Sequence, residues 1–352
     1  MTDTQSPHLF GLDNSNRDFT SRGSWGKNQF NSSFPASLCC FLHSIGENAN
    51  YLSIYEGSYQ CRDISITDAF NINPLDDDTY FAFESLHTPF QQYVIGALPR
   101  TDLVIQRRSN GDCLAGIEVK LTALPDNTTC DLDEVCYGSE IVVRPDTIVY
   151  LACSIARGMG TQVVQYIDDE IIIEDWTDAS LVLPFVPRIV NALKAVSVNL
   201  EAEQSPFLLQ PVWKTNGKSP QLAENCIDAF FWSDAGFVHF ITEISNNNPK
   251  ANKITRQTRT AIWLYKMLLE ISINGRFDHE TIIDSLSYNT KNDKAFASAG
   301  NVTNRFMACD RLARPIITKS QIKDIILGGG QNLLSPERRF DAIIYNSPEL
   351  FS

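Results

Sequence analysis

Two short segments of this 352-residue chain carry side chains whose types and spacing suit phosphodiester chemistry: Pro99-Arg100-Thr101-Asp102 and Gly116-Ile117-Glu118-Val119-Lys120. Side chains alternate between the faces of a strand, so Glu118 and Lys120 share one face. Two carboxylates and the backbone carbonyl of Val119 would make an oxygen-only site suited to Mg²⁺. Lys120 would orient the attacking water and add positive charge beside the phosphate. The expected reaction is phosphodiester hydrolysis without a covalent intermediate.

A hairpin is needed to bring these segments together. Apolar runs at residues 103–105 and 114–121 flank a turn containing Asn110-Gly111-Asp112, which is typical of an antiparallel hairpin. A two-residue turn would place Asp102 opposite Val119, on the wrong face. A three-residue loop, or an equivalent bulge, would pair Asp102 with Lys120. The functional interpretation therefore predicts one of these two irregularities.

The remaining pattern mixes helices and strands and indicates an α/β or α+β protein. Turns are expected to dominate the first forty residues. Helices are predicted at 80–95, with Pro89 as a kink, and at 146–157, 181–200 and 254–271. Strands are predicted at 162–167, 170–173 and 236–244. No sharp linker divides the chain, so residues 1–352 are expected to form one elaborated domain, with a catalytic core at 76–200 and a DNA-recognition and core-completing region at 236–352.

Composition excludes several classes of protein. With 43% hydrophobic and 20% charged residues, the chain can bury a sizeable core. No apolar run approaches the ~20 residues that a membrane span requires, so a cytoplasmic protein without a membrane partner is expected. The nine cysteines and five histidines are scattered, without CxxC or Cys/His pairs. Reduced thiols are therefore expected, and a zinc site is not. No organic cofactor is predicted.

The charge is unevenly distributed along the chain. Residues 1–180 hold 26 acidic and 10 basic residues, whereas residues 250–352 hold 10 acidic and 15 basic residues. A polyanion would therefore meet mainly the C-terminal third. Basic side chains entering the helix at 254–271 could contact phosphates, and the later Asn, Lys and Arg residues could reach bases. The candidates are Lys250, Lys253, Arg256, Arg259, Asn289, Lys291, Asn292, Lys294, Arg305, Arg311 and Arg314. For the first four, a solvated helix face is the simpler explanation.

The segment 99–102 together with Glu118-Val119-Lys120 resembles the PD-(D/E)XK nuclease motif, with Arg100-Thr101 inserted between the Pro and the Asp. The acid-x-Lys triplet is a weak signal by itself. More distinctive are the stretches NSNRDF at 14–19, WGKNQFN at 25–31 and IEVKLTALPD at 117–126. They are similar to the HindVP/HgiDI family of type II restriction endonucleases, and the similarity extends over most of the chain.

This resemblance implies an α/β restriction-endonuclease-like core, with a mixed central sheet flanked by helices and further elaborations. It also implies Mg²⁺-dependent cleavage of double-stranded DNA, at a target like GRCGYC cut after the purine. A palindromic target implies a homodimer, because the two-fold symmetry of the protein matches that of the site. Many PD-(D/E)XK nucleases use a further acid on a preceding helix. By this analogy Glu84, on the predicted helix 80–95, is a further candidate metal ligand.

Two alternatives stay open. One is another PD-(D/E)XK enzyme, such as a repair or junction nuclease, and the other is a non-catalytic DNA-binding protein. Structural roles are preferred for Glu243 and for the isolated histidines and tryptophans. These are His87, His239, His279, Trp25, Trp213 and Trp263.

Overall fold

The computed structural model of the chain describes residues 14–16, 27–125, 140–167, 170–200, 206–215, 221–246, 253–288, 296–299 and 317–327. These residues form an α/β structure with a mixed sheet covered by helices on both faces. The predicted fold class is therefore confirmed.

The strands are β1 (Ala49–Tyr55), β2 (Ser58–Ile64), β3 (Thr79–Ser85), β4 (Thr101–Arg107), β5 (Cys113–Val119), β6 (Thr122–Pro125), β7 (Glu140–Val143), β8 (Pro206–Thr215), β9 (Leu222–Ser233), β10 (Phe296–Ala299) and β11 (Ile317–Thr318). The α-helices are α1 (Lys27–Ser44), α2 (Ile66–Phe70), α3 (Pro145–Met159), α4 (Ala179–Val182), α5 (Val186–Asn199), α6 (Asp234–Asn246), α7 (Arg256–Asn274), α8 (His279–Ser285) and α9 (Lys319–Leu327). Short 3₁₀ helices cover Thr88–Tyr93, Gly160–Tyr166 and Leu183–Phe185.

Nine of the described strands form one sheet. Its main path runs β2-β1-β9-β8-β5-β4-β3, with β6 beside β8 and β11 beside β9. Strand β4 pairs antiparallel with both β3 and β5, whereas β5 and β8 pair in parallel. Strands β7 and β10 form a separate two-stranded sheet. Strand β8, which pairs with β5, thus lies beyond the C-terminal end of the predicted catalytic core at 76–200.

The sheet separates two hydrophobic clusters. One contains the buried faces of α3, α5, α6 and α7, and the other contains those of α1, α2 and α9. Leu103 and Ile105 of β4 and Ile117 and Val119 of β5 all belong to the second cluster. Because side chains alternate along a strand, the even-numbered residues of this hairpin point to the opposite face, toward α3.

Helix α3 is positioned by its sequence. Pro145 suits the first turn of a helix, and Gly160 ends the helix with a φ of 55°, a value that favours glycine. Its apolar residues, such as Leu151 and Ile155, are fully buried. The first turn of α3 is thereby fixed beside the hairpin β4–β5.

A second contact supports the segment that leads into β4. The backbone N–H of Ile95 donates to the Phe277 carbonyl, and the Phe277 N–H donates to the Tyr93 carbonyl, both at 2.9 Å. Arg276 donates to the Val94 carbonyl at 2.8 Å. His279 Nε2 lies 2.8 Å from the Ala97 carbonyl oxygen. These contacts tie the segment 93–97 to the junction between α7 and α8.

Several predicted elements are confirmed: the hairpin, and the helices at 146–157, 181–200 and 254–271. The predicted helix at 80–95 is wrong, because Phe81 and Phe83 alternate into the core as part of β3. The strand predicted at 236–244 is wrong, because these residues belong to helix α6. Most sides of α6 are buried, so its apolar residues are not confined to one face and do not recur at helical spacing. Residues 162–167 form 3₁₀ turns and residues 170–173 form no strand. Turns do not dominate from Lys27 onward, where α1 begins.

One stretch, Ala179–Asn199, is long and apolar enough to cross a membrane by length and composition, contrary to the expectation from the sequence. It consists of α4, a 3₁₀ turn containing Pro184, and α5. Ile189, Leu193 and Val196 are buried in the same cluster as α6 and α7. These features are typical of a core helix.

Candidate active site

The register of the β4–β5 hairpin decides which side chains meet. Leu103 pairs with Ile117, Gln106 pairs with Cys113, and a bulge lies between Ile105 and Gln106. The predicted bulge is therefore present. Continuing the ladder from Leu103 places Asp102 level with Glu118, so the predicted pairing of Asp102 with Lys120 is wrong by two residues. A shift of two residues keeps the side chains on one face, and so the predicted common face is retained.

Asp102, Glu118 and Lys120 converge on this face. Lys120 Nζ lies 3.3 Å from Glu118 Oε1 and 3.7 Å from Asp102 Oδ2. The side chains of Glu118 and Lys120 are 8% and 14% exposed, whereas that of Asp102 is 35% exposed. The cluster therefore opens to solvent at Asp102 and is closed behind Glu118.

Backbone and hydroxyl groups hold the two carboxylates. The backbone N–H of Val119 donates to Asp102 Oδ2 at 2.8 Å. Thr147 Oγ1, in the first turn of α3, donates to Glu118 Oε1 at 2.8 Å. Thr101 Oγ1 lies 3.3 Å from Glu118 Oε2. Neither threonine was predicted from the sequence. The sequence predicts a helix that begins near residue 146, but it does not predict that this helix packs against β5.

The two carboxyl groups influence each other strongly. Burial, and then the charge of Glu118, raise the pKa of Asp102 to about 7. Burial also opposes ionisation of Glu118. Lys120 and hydrogen bonds from Asp102, Thr147 and Lys120 outweigh that effect and lower the pKa of Glu118. Near neutral pH the pair can thus share one proton, because a single ammonium does not balance two neighbouring carboxylates.

Lys120 stays protonated in this environment. Burial opposes its charge, but the carboxylates of Glu118 and Asp102 outweigh burial and raise the pKa of its ammonium group. The site therefore presents a fixed positive charge next to two carboxylates.

The donor set fits a hard divalent cation. Val119 pairs in parallel with Leu209, and its N–H points away from that strand, to Asp102. The N–H and C=O of one residue in a strand point the same way, so the Val119 carbonyl also faces the Asp102 side. Two carboxylates and one carbonyl are the kind of oxygen set that Mg²⁺ accepts while keeping several waters. Among the described residues, no group of three or more His, Cys, Asp or Glu side chains could hold a metal ion.

Glu84 is placed differently from its prediction. It lies on β3 instead of a helix, at the register position opposite Asp102. Its φ of 47° is unusual for a non-glycine residue, and such strain often accumulates at functional sites. Glu84 therefore lies in a strand, and the predicted helix that carried it is wrong.

Two further charged residues flank the site from the start of α3, and both were missed. Desolvation, and then the charge of Glu118, raise the pKa of Asp146, while Arg144 acts in the opposite direction. Arg144 is exposed, and its charge partly opposes the rise in the pKa of Lys120. The N-terminal turn of α3 thus adds both signs of charge to the rim of the site.

The predicted DNA contacts fall into three groups. Lys253 and Arg256 are exposed at the start of α7. Arg259 is fully buried, with its guanidinium carbon 4.3 Å from the centre of the Trp263 ring. This burial removes Arg259 from the phosphate contacts, and it supersedes the alternative of a solvated face. The other candidates lie outside the described residues: Lys250, Asn289, Lys291, Asn292, Lys294, Arg305, Arg311 and Arg314.

The side chains preferred as structural occupy structural positions. His87 is buried, with Nε2 3.1 Å from an Arg157 nitrogen, and burial lowers its pKa to about 4. His239 packs edge-on against Tyr59. Glu243 forms an ion pair with Lys194 at 3.2 Å. Trp213 and Trp263 are fully buried, His279 holds a backbone carbonyl, and Trp25 lies outside the described residues.

Comparison with known proteins identifies the family. A model of the HindVP restriction endonuclease family matches residues 25–351. The "Probable type II restriction enzyme HindVP" of Haemophilus influenzae is 55% identical over 347 residues, covering 98% of this chain and 95% of the relative. The "Type II restriction enzyme HgiDI" of Herpetosiphon aurantiacus is 42% identical over 349 residues, covering 98% and 97%. No solved structure gives a significant match. The chain therefore belongs to the HindVP family of type II restriction endonucleases.

Proposed function

We propose that this type II site-specific deoxyribonuclease hydrolyses double-stranded DNA at a PD-(D/E)XK-type site formed by Asp102, Glu118 and Lys120, with Mg²⁺ as its cofactor. The observation that carries the proposal is the convergence of these side chains on one face of the hairpin, with Lys120 Nζ 3.3 Å and 3.7 Å from the two carboxylates. A surface ion pair would not need a second acid, a buried glutamate and two threonine donors.

The cation would be held by Asp102, Glu118 and the Val119 carbonyl, with Glu84 as a further candidate across the sheet. When bound, a divalent cation stabilises negative charge on the phosphate and lowers the pKa of a water molecule. The pKa of Asp102, which burial and the charge of Glu118 raise to about 7, supports this assignment, because a cation between the two carboxylates would relieve the same repulsion that a proton relieves.

The protein's own groups account for the rest of the reaction. Lys120 keeps its ammonium form and lies between the carboxylates, where it can hold the attacking water by hydrogen bonding and face the phosphate charge. The core behind Glu118 excludes water from that side, so DNA must approach from the exposed side of Asp102. Because the reaction needs only an oriented water and charge stabilisation, no covalent intermediate is required.

The substrate assignment is carried over from the family resemblance. It is a GRCGYC-like palindrome cut after the purine by a homodimer, in which each protomer cuts one strand. Lys253 and Arg256 are the described candidates for phosphate contacts, together with the candidates outside the described residues. A cytoplasmic location, where chromosomal and invading DNA are both accessible, fits this activity.

The test is digestion of unmethylated plasmid DNA with the purified protein and Mg²⁺, followed by sequencing of the ends. Discrete fragments with a common terminal sequence are expected, and none should form in EDTA. A branched duplex cut in preference to linear DNA would instead indicate a junction or repair nuclease. Duplex binding without strand scission in Mg²⁺ would contradict the assignment of the catalytic site.

A further inference from the structure

Buried threonine hydroxyls contact both oxygens of the Glu118 carboxylate. Thr147 Oγ1 lies 2.8 Å from Oε1, and Thr101 Oγ1 lies 3.3 Å from Oε2. Thr147 is 0% exposed and Thr101 is 1% exposed. Neither hydroxyl can exchange its protein partner for bulk water, so these contacts set the orientation of the carboxylate.

Thr147 donates its hydroxyl proton to Glu118 alone. Thr147 Oγ1 also accepts a hydrogen bond from the backbone N–H of Arg144, at 3.4 Å. A hydroxyl has a single proton, and this incoming bond leaves that proton for Glu118. Thr101 Oγ1, in contrast, lies at the same 3.3 Å from the Ile117 carbonyl and from Glu118, so its proton is divided between two acceptors.

The two oxygens of Glu118 are therefore not equivalent. Oε1 accepts from Thr147 and also lies 3.3 Å from Lys120 Nζ. The hydroxyl contact of Oε2 is the divided one with Thr101. Since an ionised carboxylate offers about four acceptor positions in all, two per oxygen, Oε1 is filled while Oε2 keeps capacity for a further partner.

We infer that Thr147 is a positioning residue, which turns Glu118 so that Oε2 is the oxygen presented to the divalent cation. This inference rests on the proposed function, because it takes Glu118 to be a metal ligand. Hydrogen-bond partners of metal-binding carboxylates commonly change metal affinity or activity by about 10–100-fold when they are removed. The first turn of α3 thus belongs to the catalytic machinery without supplying a ligand.

The experiment compares Thr147→Ala with Thr147→Ser in the full-length protein. Both changes remove the methyl group, and only Ser keeps the hydroxyl. Thr242→Ala is the matched control, because Thr242 is also 0% exposed but donates to the His239 carbonyl within α6. Mn²⁺ binding without DNA is followed by the electron paramagnetic resonance signal of the free ion. Single-turnover cleavage of unmethylated plasmid is measured across a Mg²⁺ series.

Thr147→Ala should weaken Mn²⁺ binding by about 10–100-fold and raise the Mg²⁺ concentration for half-maximal cleavage, whereas Thr147→Ser and Thr242→Ala should stay within about threefold of the wild type. Equal Mn²⁺ affinities for Thr147→Ala and Thr147→Ser would overturn the inference. If Thr147→Ala does not fold, Thr147→Cys replaces it, because a thiol is a weaker donor of similar size. Equal affinities for the Cys and Ser variants would have the same meaning.

Measurements on the wild-type protein distinguish a failure of the role of Thr147 from a failure of the proposed function. Wild-type cleavage with no difference between the Thr147 variants would overturn the role of Thr147 alone. A wild-type protein that neither binds Mn²⁺ nor cuts DNA would overturn the proposed function and this inference together.

Discussion

The β4–β5 hairpin and helix α7 both carry charged residues that suggest function in the sequence, but the structure uses them differently. In the hairpin, Asp102, Glu118 and Lys120 meet at a site that opens to solvent. In α7, Arg259 lies inside the core over Trp263. One set of charges forms the candidate active site, and the other charge is buried against Trp263 and the Ser287 carbonyl.

The difference follows from the geometry of the two elements. Alternation in a strand divides residues into two faces only, so one correct register fixes every side chain. A helix at the centre of a bundle can be buried on all sides, and α7 is buried from Thr258 through Tyr265. A charge on such a helix cannot be assigned to the surface from its angular position alone.

The largest expected effect is on the hairpin carboxylates. Asp102→Asn and Glu118→Gln keep the size of each side chain but remove a metal-binding charge, which is worth several kcal/mol of transition-state stabilisation. Cleavage should fall by about a thousandfold or more, since each 1.36 kcal/mol is tenfold in rate. Single-turnover digestion in Mg²⁺ measures this, and filter binding in Ca²⁺ shows whether DNA binding persists. Retained cleavage would refute the metal assignment.

Lys120→Met should have the next largest effect. The change keeps a long unbranched side chain but removes the ammonium that faces the phosphate, so the chemical step should slow by about 10²–10³-fold. DNA affinity in Ca²⁺ should change much less than the rate. An unchanged single-turnover rate would remove Lys120 from the mechanism.

The contrast within α7 is tested with Arg259→Met and Arg256→Met. Losing the Arg259 contacts with Trp263 and with the Ser287 carbonyl at 3.4 Å should destabilise the protein by about 1–3 kcal/mol. Because Arg256 is exposed, Arg256→Met should change the free energy of unfolding by no more than about 0.5 kcal/mol. Urea denaturation gives both values.

The same pair of variants tests DNA binding. Arg256→Met should weaken the binding of all duplexes similarly. The slope of log affinity against log salt concentration should become less steep by about one, the amount expected for the loss of one phosphate contact. Equal stabilities for the two variants would contradict the buried position of Arg259.

The last prediction concerns the effect of pH on metal binding. Asp102 has a raised pKa of about 7 and binds a cation only as the carboxylate, so protons compete with the metal below that pH. Mn²⁺ affinity should therefore rise with pH up to about 7 and then level off, with a loss of about tenfold for each pH unit below it. Titrations from pH 5.5 to 8.5 check this. A flat profile would contradict proton sharing between Asp102 and Glu118.

Features of the site that depend on residues close together in the chain could be predicted from the sequence, whereas features that depend on tertiary packing could not. The hairpin, its common polar face and the need for a bulge are encoded within residues 101–120. Thr147 and Asp146 could not be assigned to the site, because only tertiary packing brings α3 to β5. Glu84 was placed on a helix because apolar residues recur at helical spacing at Phe83, Leu86, Phe90 and Val94. Pairing with β4 instead makes residues 79–85 a strand, with Phe81 and Phe83 alternating into the core.

The contact between segment 93–97 and the α7–α8 junction has a consequence for how the enzyme can be divided. The segment that leads into β4 is held by residues about 180 positions later in the chain, since Arg276 donates to the Val94 carbonyl. Deleting the C-terminal third would therefore remove the contacts that hold the segment before the candidate active site, along with the basic residues of that third. Simple truncation after the hairpin should for this reason destabilise any fragment intended for fusion to another DNA-binding protein.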